Sequence, residues 1–253
     1  MGAQMQKIRT EWVELQSGAD TEDVTTIDAY VAIPQGEGTF PVVVVIQEIF
    51  GVNSHIRDVT ERVAQLGYVA IAPAIYQRQI KGFDRGYDSA AVTEGRKYKE
   101  QTRADELLRD IQAAMDYGRS LPQGRAGSCG CMGFCFGGHV AYLGATLPDV
   151  GATAVFYGAG ITTWCPGEIG ATVDRTDQIK GRLVGFFGTA DPLIPLDQVE
   201  TMRDALVKNY VDHAVKIYDG VDHGFFCDQR GSYNREAAAD AWTQVVNLFS
   251  DCL

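Results

Sequence analysis

The stretch GFCFGG at residues 133–138 follows an apolar run and turns the chain through a glycine-rich corner with Cys135 at its apex. A G-x-C-x-G spacing is typical of a nucleophile elbow, the sharp strand-to-helix turn that lifts one side chain clear of a sheet. The flanking glycines fit this turn, because it strains the backbone and brings the helix so close to the strand that a Cβ would clash. The same string also arises by chance in glycine-rich loops, so Cys135 needs partners elsewhere in the sequence.

Two candidate partners follow apolar runs later in the chain. Asp191 comes shortly after the run at 182–188, and His223 lies close to glycines in a loop after the run at 214–218. Open α/β sheets keep their sites at the carboxyl ends of such strands. The order nucleophile, acid, histidine is that of the α/β-hydrolase triad, and it differs from the orders in the chymotrypsin and subtilisin classes. The sequence therefore predicts a triad of Cys135, His223 and Asp191.

The pattern of hydrophobic residues predicts the fold class. Alternation at residues 8–15 and 26–33 indicates two half-exposed strands, which we expect to open the sheet as an antiparallel pair. The later strands are continuous apolar runs that fit parallel strands covered on both faces. These runs lie at 41–46, 68–72, before Cys135, at 152–157, 182–188 and 214–218, and helical patterns alternate with them at 55–66, 103–119, 138–147, 196–210 and 236–249. The alternation predicts an α/β fold with right-handed crossovers, a mostly parallel doubly wound sheet of about eight strands with helices on both faces.

The composition limits the class of protein. A chain of 253 residues, 45% hydrophobic and 22% charged, can form one large α/β domain, and we expect residues 1–253 to form it. No stretch approaches the ~20 apolar residues of a membrane span, and the first residues lack the pattern of a secretory signal, so we expect a soluble, cytoplasmic protein. The net charge of −11 argues against nucleic-acid binding, which needs clustered Lys and Arg.

The six cysteines do not follow a metal-binding or disulfide pattern. Cys129 and Cys131 lie two positions apart on a predicted strand, and no C-x₂-C or H-x₃₋₅-H pair accompanies them. We therefore interpret the cysteines other than Cys135 as small buried residues in a reducing compartment, and we expect no metal site.

Residues 76–102 interrupt the alternation of strands and helices, because they are polar, rich in tyrosine and mixed in charge. One interpretation is that this segment overhangs the site. The other is an ordinary solvated loop and helix, since charge-rich excursions are common on protein surfaces. The sequence leaves both open.

With these motifs placed, the chain resembles the dienelactone hydrolase family, whose members are also called carboxymethylenebutenolidases. The elbow matches the family's pattern of a glycine, an aromatic residue, the cysteine, one further residue and two glycines. Residues 47–53, QEIFGVN, resemble the family's motif after the third strand, in which a glutamate regulates the cysteine. The resemblance extends from the opening strand pair to the last helix, and it implies the α/β-hydrolase fold with no metal and no cofactor.

The resemblance assigns roles to individual residues. It implies Cys135 as the nucleophile, His223 as the base and Asp191 as the acid that orients the histidine. Glu48 would keep the resting cysteine as a thiol until substrate moves the carboxylate aside, because a carboxylate beside sulfur disfavours a second negative charge.

The resemblance also bears on contacts with the substrate. The backbone N–H groups of Ile49 and Phe136 would form the oxyanion hole. In the best-known members an arginine shortly after the catalytic histidine binds the substrate carboxylate, whereas the matching position here is close to Cys227, with Arg230 as the candidate replacement. Further candidates for anion binding lie in the 76–102 segment: Arg78, Arg96 and Tyr98.

These residue types suit acyl transfer. A thiol attacks an ester carbonyl only as thiolate, and an imidazole held by a carboxylate can take its proton. We therefore expect a cysteine-dependent hydrolase of small esters or lactones, in particular an enol-lactone such as a dienelactone with a free carboxylate, acting through an acyl-thioester and without an obligatory protein partner. Two alternatives stay open. One is a broader carboxylesterase or thioesterase on the same triad, and the other is a non-catalytic protein that binds a small molecule.

Overall fold

The computed structural model describes residues 6–19 and 21–253. Within these ranges eight strands form one sheet: β1 Ile8–Ser17, β2 Thr25–Pro34, β3 Val42–Ile46, β4 Val69–Pro73, β5 Cys129–Phe134, β6 Val150–Phe156, β7 Arg182–Gly188 and β8 His213–Tyr218. Their spatial order is β1-β2-β4-β3-β5-β6-β7-β8. The β1–β2 and β2–β4 pairs are antiparallel, and the remaining pairs are parallel. The predicted fold, a mostly parallel sheet opened by an antiparallel pair, is confirmed.

Helices connect the strands, as the sequence predicted. They are α1 Ser54–Gln65, α2 Ser89–Lys99, α3 Ala104–Ser120, α4 Phe136–Gly144, α5 Leu196–Lys208 and α6 Arg235–Cys252, with a short 3₁₀ helix at Thr172–Gln178. Over the described ranges, none of these helices combines the length and the apolar character that crossing a bilayer requires.

The sheet is covered on both faces, and β3 illustrates why its strands are apolar throughout. Val43 and Val45 pack in one buried cluster with Val59 of α1, whereas Val44 packs in a second cluster with Ile111 of α3. Successive side chains of a strand point to opposite faces, so both sets are buried. Burial of each such aliphatic side chain stabilises the fold by about 1.5–3 kcal/mol.

One strand differs from the expectation that the later strands are covered on both faces. Every residue of β8 is only half-buried. The reason is its place at the edge of the sheet, where β7 is its neighbour on one side. An edge strand has fewer packing partners, which also explains the charged Lys216 within it.

The 76–102 segment is packed against the end of β3. Its helix α2 begins after Asp88, whose side chain accepts a hydrogen bond from the Ala91 N–H at 2.8 Å and thereby caps the helix. A Cβ at Gly95 would lie 2.1 Å from the carbonyl oxygen of Ile49, so the α2 backbone touches the backbone of a predicted oxyanion residue. Of the two interpretations, the structure favours a segment that lies against the site.

Candidate active site

Cys135 lies between the end of β5 and the start of α4. Its backbone angles are φ 57° and ψ −119°, a region that strains any residue with a Cβ. The turn is possible because Gly137 approaches the end of β3 so closely that a Cβ there would lie 2.2 Å from the carbonyl oxygen of Gln47. This is the close approach that the glycines after the cysteine predicted. Cys135 is 9% exposed, so the candidate nucleophile is largely shielded from bulk water.

Asp191 and His223 meet at the carboxyl edge of the sheet. Asp191 follows β7 and His223 follows β8, and His223 Nδ1 lies 2.7 Å from Asp191 Oδ2 in a buried hydrogen bond. The other carboxylate oxygen accepts a hydrogen bond from the Leu193 N–H at 2.8 Å. Hydrogen bonds therefore hold both oxygens of the Asp191 carboxylate. Because Nδ1 of His223 is bonded to Asp191, Nε2 is the ring nitrogen left to accept a proton from another group.

The surroundings of His223 identify Cys135 as its neighbour. Burial lowers the pKa of His223. The Cys135 anion and the Asp191 carboxylate outweigh this effect and raise the pKa to about 10, and the charge of Cys135 contributes more than that of Asp191. His223 Nε2 is buried and makes no other hydrogen bond, and an interaction with the Cys135 side chain contributes to the raised pKa of the ring. Hydrogen bonds of this kind often tighten only when substrate is bound.

Glu48 follows β3 and is fully buried. Its Oε1 accepts a hydrogen bond from Arg230 Nη1 at 3.0 Å, whereas its Oε2 is buried without a partner. Arg230 reaches this carboxylate by crossing Gly224, where a Cβ would lie 2.4 Å from Nη1. The guanidinium also lies over the rings of Phe50 and Tyr87. Glu48 is thus held by the arginine on one oxygen and is free to bind on the other.

Cys227 lies close to this ion pair but adds no charge to it. The residue is fully buried, and its Sγ lies 3.2 Å from the hydroxyl of Tyr87. Burial raises the pKa of Cys227 to about 11, so it stays a thiol at neutral pH. Positive charge in this part of the site therefore comes from Arg230.

The two predicted oxyanion donors lie on either side of the elbow. Ile49 comes after β3, and Phe136 is the first residue of α4. Neither N–H takes part in a turn or loop hydrogen bond among the described residues. The first N–H groups of a helix have no acceptor within the helix, and they carry partial positive charge. Both groups are therefore available to an oxygen that becomes negative beside Cys135.

Two of the candidate anion-binding residues form no hydrogen bond or ion pair with the catalytic candidates among the described residues. Arg78 donates hydrogen bonds to Asp110 Oδ2 and to Ser17 Oγ, each at 2.8 Å, and these partners lie on α3 and at the end of β1. Arg96 is exposed on α2, and no hydrogen bond or ion pair of its side chain is found in residues 6–19 and 21–253. The spacing along the chain did not distinguish these arginines from Arg230, which does reach the site.

Tyr98 is placed near the elbow through other rings. It packs against Tyr76, with 6.0 Å between the ring centroids, and Tyr76 in turn stacks on Phe136 at 6.2 Å. Tyr98 is therefore one side chain away from a predicted oxyanion residue.

Tyr157 is not among the site residues predicted from the sequence, and the structure places it beside the catalytic candidates. Its ring packs edge-on against His223, with 5.0 Å between the centroids, and it is fully buried. The sequence does contain one indication of this position. Tyr157 is the last residue of the apolar run at 152–157, and that run forms the strand beside the one that leads into Cys135.

The described residues contain no group of three or more His, Cys, Asp and Glu side chains arranged to hold a metal ion. The buried His139 is occupied instead by hydrogen bonds to the Ala159 carbonyl at 3.1 Å and to Thr172 Oγ1 at 2.6 Å. The side chains that the described residues bring to the site are those of Cys135, His223, Asp191, Glu48 and Arg230, with the phenol of Tyr157 beside them.

Comparison with known proteins relates this site to a family. The model of the "Dienelactone hydrolase family" matches residues 27–253. A curated protein of Synechocystis sp. named "Putative carboxymethylenebutenolidase" is 56% identical over 223 residues, which are 88% of this chain and 91% of the relative. A protein of the same name from Yersinia pestis is 34% identical over 229 residues, which are 88% of this chain and 83% of the relative.

Solved structures extend the similarity to three dimensions. A "Putative Dienelactone Hydrolase" from Klebsiella pneumoniae superposes with a TM-score of 0.81 at 31% identity and covers 96% of this chain and 99% of its own. The dienelactone hydrolase-like promiscuous enzyme P91 from metagenomic libraries gives a TM-score of 0.80 at 25% identity, with 97% and 98% covered. The chain therefore belongs to the dienelactone hydrolase family, and it is a hydrolase with the α/β-hydrolase fold.

Proposed function

We propose that this chain hydrolyses small esters or lactones by attack of the Cys135 thiolate, with His223 as base and Asp191 as the residue that orients it. The observation that carries the proposal is the 2.7 Å hydrogen bond between Asp191 and His223 beside the strained Cys135. Although burial lowers it, the pKa of His223 is raised to about 10 by the Cys135 anion and Asp191, so thiolate and imidazolium stabilise each other once formed.

The reaction follows from the positions of these groups. The thiolate attacks the carbonyl carbon, and the electron pair of the C=O bond moves to the oxygen, where the N–H groups of Ile49 and Phe136 donate to it. Loss of one such donor in comparable sites costs roughly 3–4 kcal/mol. The tetrahedral intermediate expels the alcohol or enol oxygen, which takes a proton from His223. Water, deprotonated by His223, then cleaves the acyl-thioester and restores Cys135.

Glu48 is proposed to set the resting state of the nucleophile. A carboxylate near sulfur disfavours the thiolate, and Arg230 holds the carboxylate in place at 3.0 Å. A substrate with its own carboxylate would compete for Arg230 and release Glu48. This supports an enol-lactone with a free carboxylate, such as a dienelactone, as the substrate.

A broader carboxylesterase is the second candidate. It is favoured by Cys227, which is an uncharged thiol near the position where the best-known family members have an arginine. A substrate without a carboxylate would suit a site with less positive charge.

The test compares purified Cys135→Ala with the unaltered enzyme on lactones and linear esters, each with and without a free carboxylate. We expect Cys135→Ala to abolish turnover and the unaltered enzyme to prefer the carboxylate-bearing lactones. Cys252→Ala, which removes a half-exposed thiol at the end of α6, is the matched control. Near-normal turnover in Cys135→Ala would remove the nucleophile assignment, and equal rates on charged and neutral compounds would favour the broader esterase.

A further inference from the structure

Tyr157 has an unusual backbone for a residue in the core. It follows β6, the strand next to the elbow strand β5, and its φ is 37°. A residue with a Cβ keeps such a conformation only where its surroundings hold it, and this kind of strain is common at active sites. The backbone is held by the Tyr157 N–H, which donates to the Phe186 carbonyl at 2.8 Å. This arrangement fixes the phenol ring against His223.

The hydroxyl of Tyr157 is buried without a hydrogen-bond partner, and so is Oε2 of Glu48. Burial raises the pKa of Tyr157 well above its ordinary value, and the charge of Glu48 is the next largest cause. The phenol therefore remains protonated. Its ring packs against His223, the residue before Gly224, and Arg230 crosses Gly224 to reach Glu48. Buried polar groups are almost always paired in native proteins, so an unpaired donor and an unpaired acceptor in one site call for an explanation.

Tyr76 provides a contrast within the same site. Its hydroxyl is also buried without a partner, and burial likewise raises its pKa well above the ordinary value. The charge of Cys135 also raises the pKa of Tyr76, whereas Glu48 is not a cause of that shift. The ring of Tyr76 packs against Phe136 and Tyr98, whereas the ring of Tyr157 packs against His223, next to the glycine that Arg230 crosses. Of the two unpaired phenols, we therefore assign Tyr157 to Glu48.

We propose that Tyr157 is a positioning residue for Glu48, and that its hydroxyl donates to Oε2 when a substrate carboxylate takes Arg230. A buried carboxylate that loses its arginine needs another donor, because an unpaired buried charge is strongly unfavourable. Tyr157 then holds Glu48 in the released state, in which Cys135 is free to ionise. This inference rests on the proposed function, since it concerns the regulation of the same nucleophile.

The experiment measures Tyr157→Phe in the native and in the Glu48→Gln background, with a carboxylate-bearing lactone as substrate. In the native background we expect kcat to fall roughly ten-fold or more with a smaller change in KM, because a hydrogen bond to a charged group is lost. In the Glu48→Gln background we expect a loss of about three-fold or less, since an amide is a weaker acceptor. The pH dependence of Cys135 alkylation by iodoacetate, whose carboxylate can take Arg230, should shift on Tyr157→Phe in the native background and should not shift in the Glu48→Gln background.

Tyr76→Phe is the matched control, because it also removes one unpaired buried hydroxyl. Its effect on kcat should be the same factor in both backgrounds. Tyr157→Phe keeps the ring and removes an unpaired group, so we expect no loss of thermal stability, which is measured for each variant. The inference would be overturned if Tyr157→Phe lowered kcat by the same factor in both backgrounds, or if it left the pH dependence of Cys135 alkylation unchanged in the native background. That outcome is distinct from failure of the proposed function, which would appear as turnover by Cys135→Ala.

Discussion

At the scale of single residues, the site collects features that a packed core normally avoids. Cys135 and Tyr157 have positive φ angles, and buried atoms of Glu48, Tyr157 and His223 lack hydrogen bonds. Real proteins depart from local rules mainly at functional sites, where the rest of the structure has to hold the strained or unpaired groups. These residues are linked by contacts, because Tyr157 packs against His223 and Arg230 crosses Gly224 to bind Glu48. Together the departures support a catalytic role for this edge of the sheet more strongly than any one of them would alone.

A residue-scale prediction concerns the partner of the imidazole. Asp191→Asn should lower kcat/KM by roughly 10²–10⁴-fold, because an amide next to Nδ1 favours the wrong tautomer of His223 and no longer stabilises the imidazolium. The measurement is steady-state hydrolysis of the preferred lactone. Asp197→Asn, an exposed carboxylate in the first turn of α5, is the control and should keep its activity. An unchanged rate in Asp191→Asn would contradict the triad.

At the scale of elements, α2 is coupled to the catalytic edge through its backbone. Gly95 lets the helix rest on the carbonyl of Ile49, the residue whose N–H is a predicted oxyanion donor. The peptide units on both sides of Ile49 therefore depend on where α2 lies. The tyrosine-rich segment therefore contacts the residue whose N–H is the predicted oxyanion donor.

An element-scale prediction tests this coupling. A Cβ at Gly95 would lie 2.1 Å from a backbone oxygen that cannot move cheaply, so Gly95→Ala should displace α2 or Ile49. We expect kcat to fall by roughly 10²-fold, as misplacement of about 1 Å near the reacting atoms commonly does. Gly86→Ala adds the same methyl where no other atom lies within 4 Å, so it should leave kcat unchanged. Equal kinetics in the two variants would show that α2 does not support the donor.

At the scale of the whole molecule, Asp110 couples stability to pH. The residue lies on α3, fully buried, and its carboxylate contacts Arg78 and the hydroxyl of Ser17 at the end of β1. Burial raises the pKa of Asp110 to about 6 from its ordinary value of 3.8, in spite of Arg78. A raised carboxyl pKa means that the folded protein binds this proton more tightly than the unfolded chain. The associated stabilisation is complete below pH 3.8 and is lost as the pH rises through 6.

The corresponding prediction compares Asp110→Asn with the unaltered protein, because the amide carries no titrating proton. The free energy of unfolding of the variant, relative to the unaltered protein, should rise by up to about 3 kcal/mol between pH 4 and 6 and then level off. Loss of the hydrogen bond from Arg78 adds a constant offset to this difference, because an arginine guanidinium does not lose its proton in proteins. Denaturant unfolding at a series of pH values gives the difference, and a flat difference would contradict the prediction.

The sheet of about eight strands and its alternation with helices were predictable from the sequence, and so was the cysteine at the elbow turn. Runs of apolar residues and the spacing of glycines are properties of contiguous residues, and they determine local conformation directly. Asp191 and His223 were identified in the same way, because both follow predicted strands and parallel strands present their carboxyl ends at one edge. The exposure of β8 was not predicted, since it depends on which strand ends the sheet.

What only the tertiary structure decided is which distant side chains meet. Glu48 and Arg230 are 182 positions apart and form an ion pair, whereas Arg78 binds Asp110 on another element. Tyr157 follows β6 and comes beside His223 because the loop after β8 lies against the end of β7, where the Ala190 N–H donates to the Val221 carbonyl at 3.0 Å. Such contacts depend on strand order and on close packing across the sheet edge, and no local pattern encodes them. By itself, the sequence determined the fold, the elbow and the order of the catalytic candidates, whereas folding selected which arginine and which tyrosine complete the site.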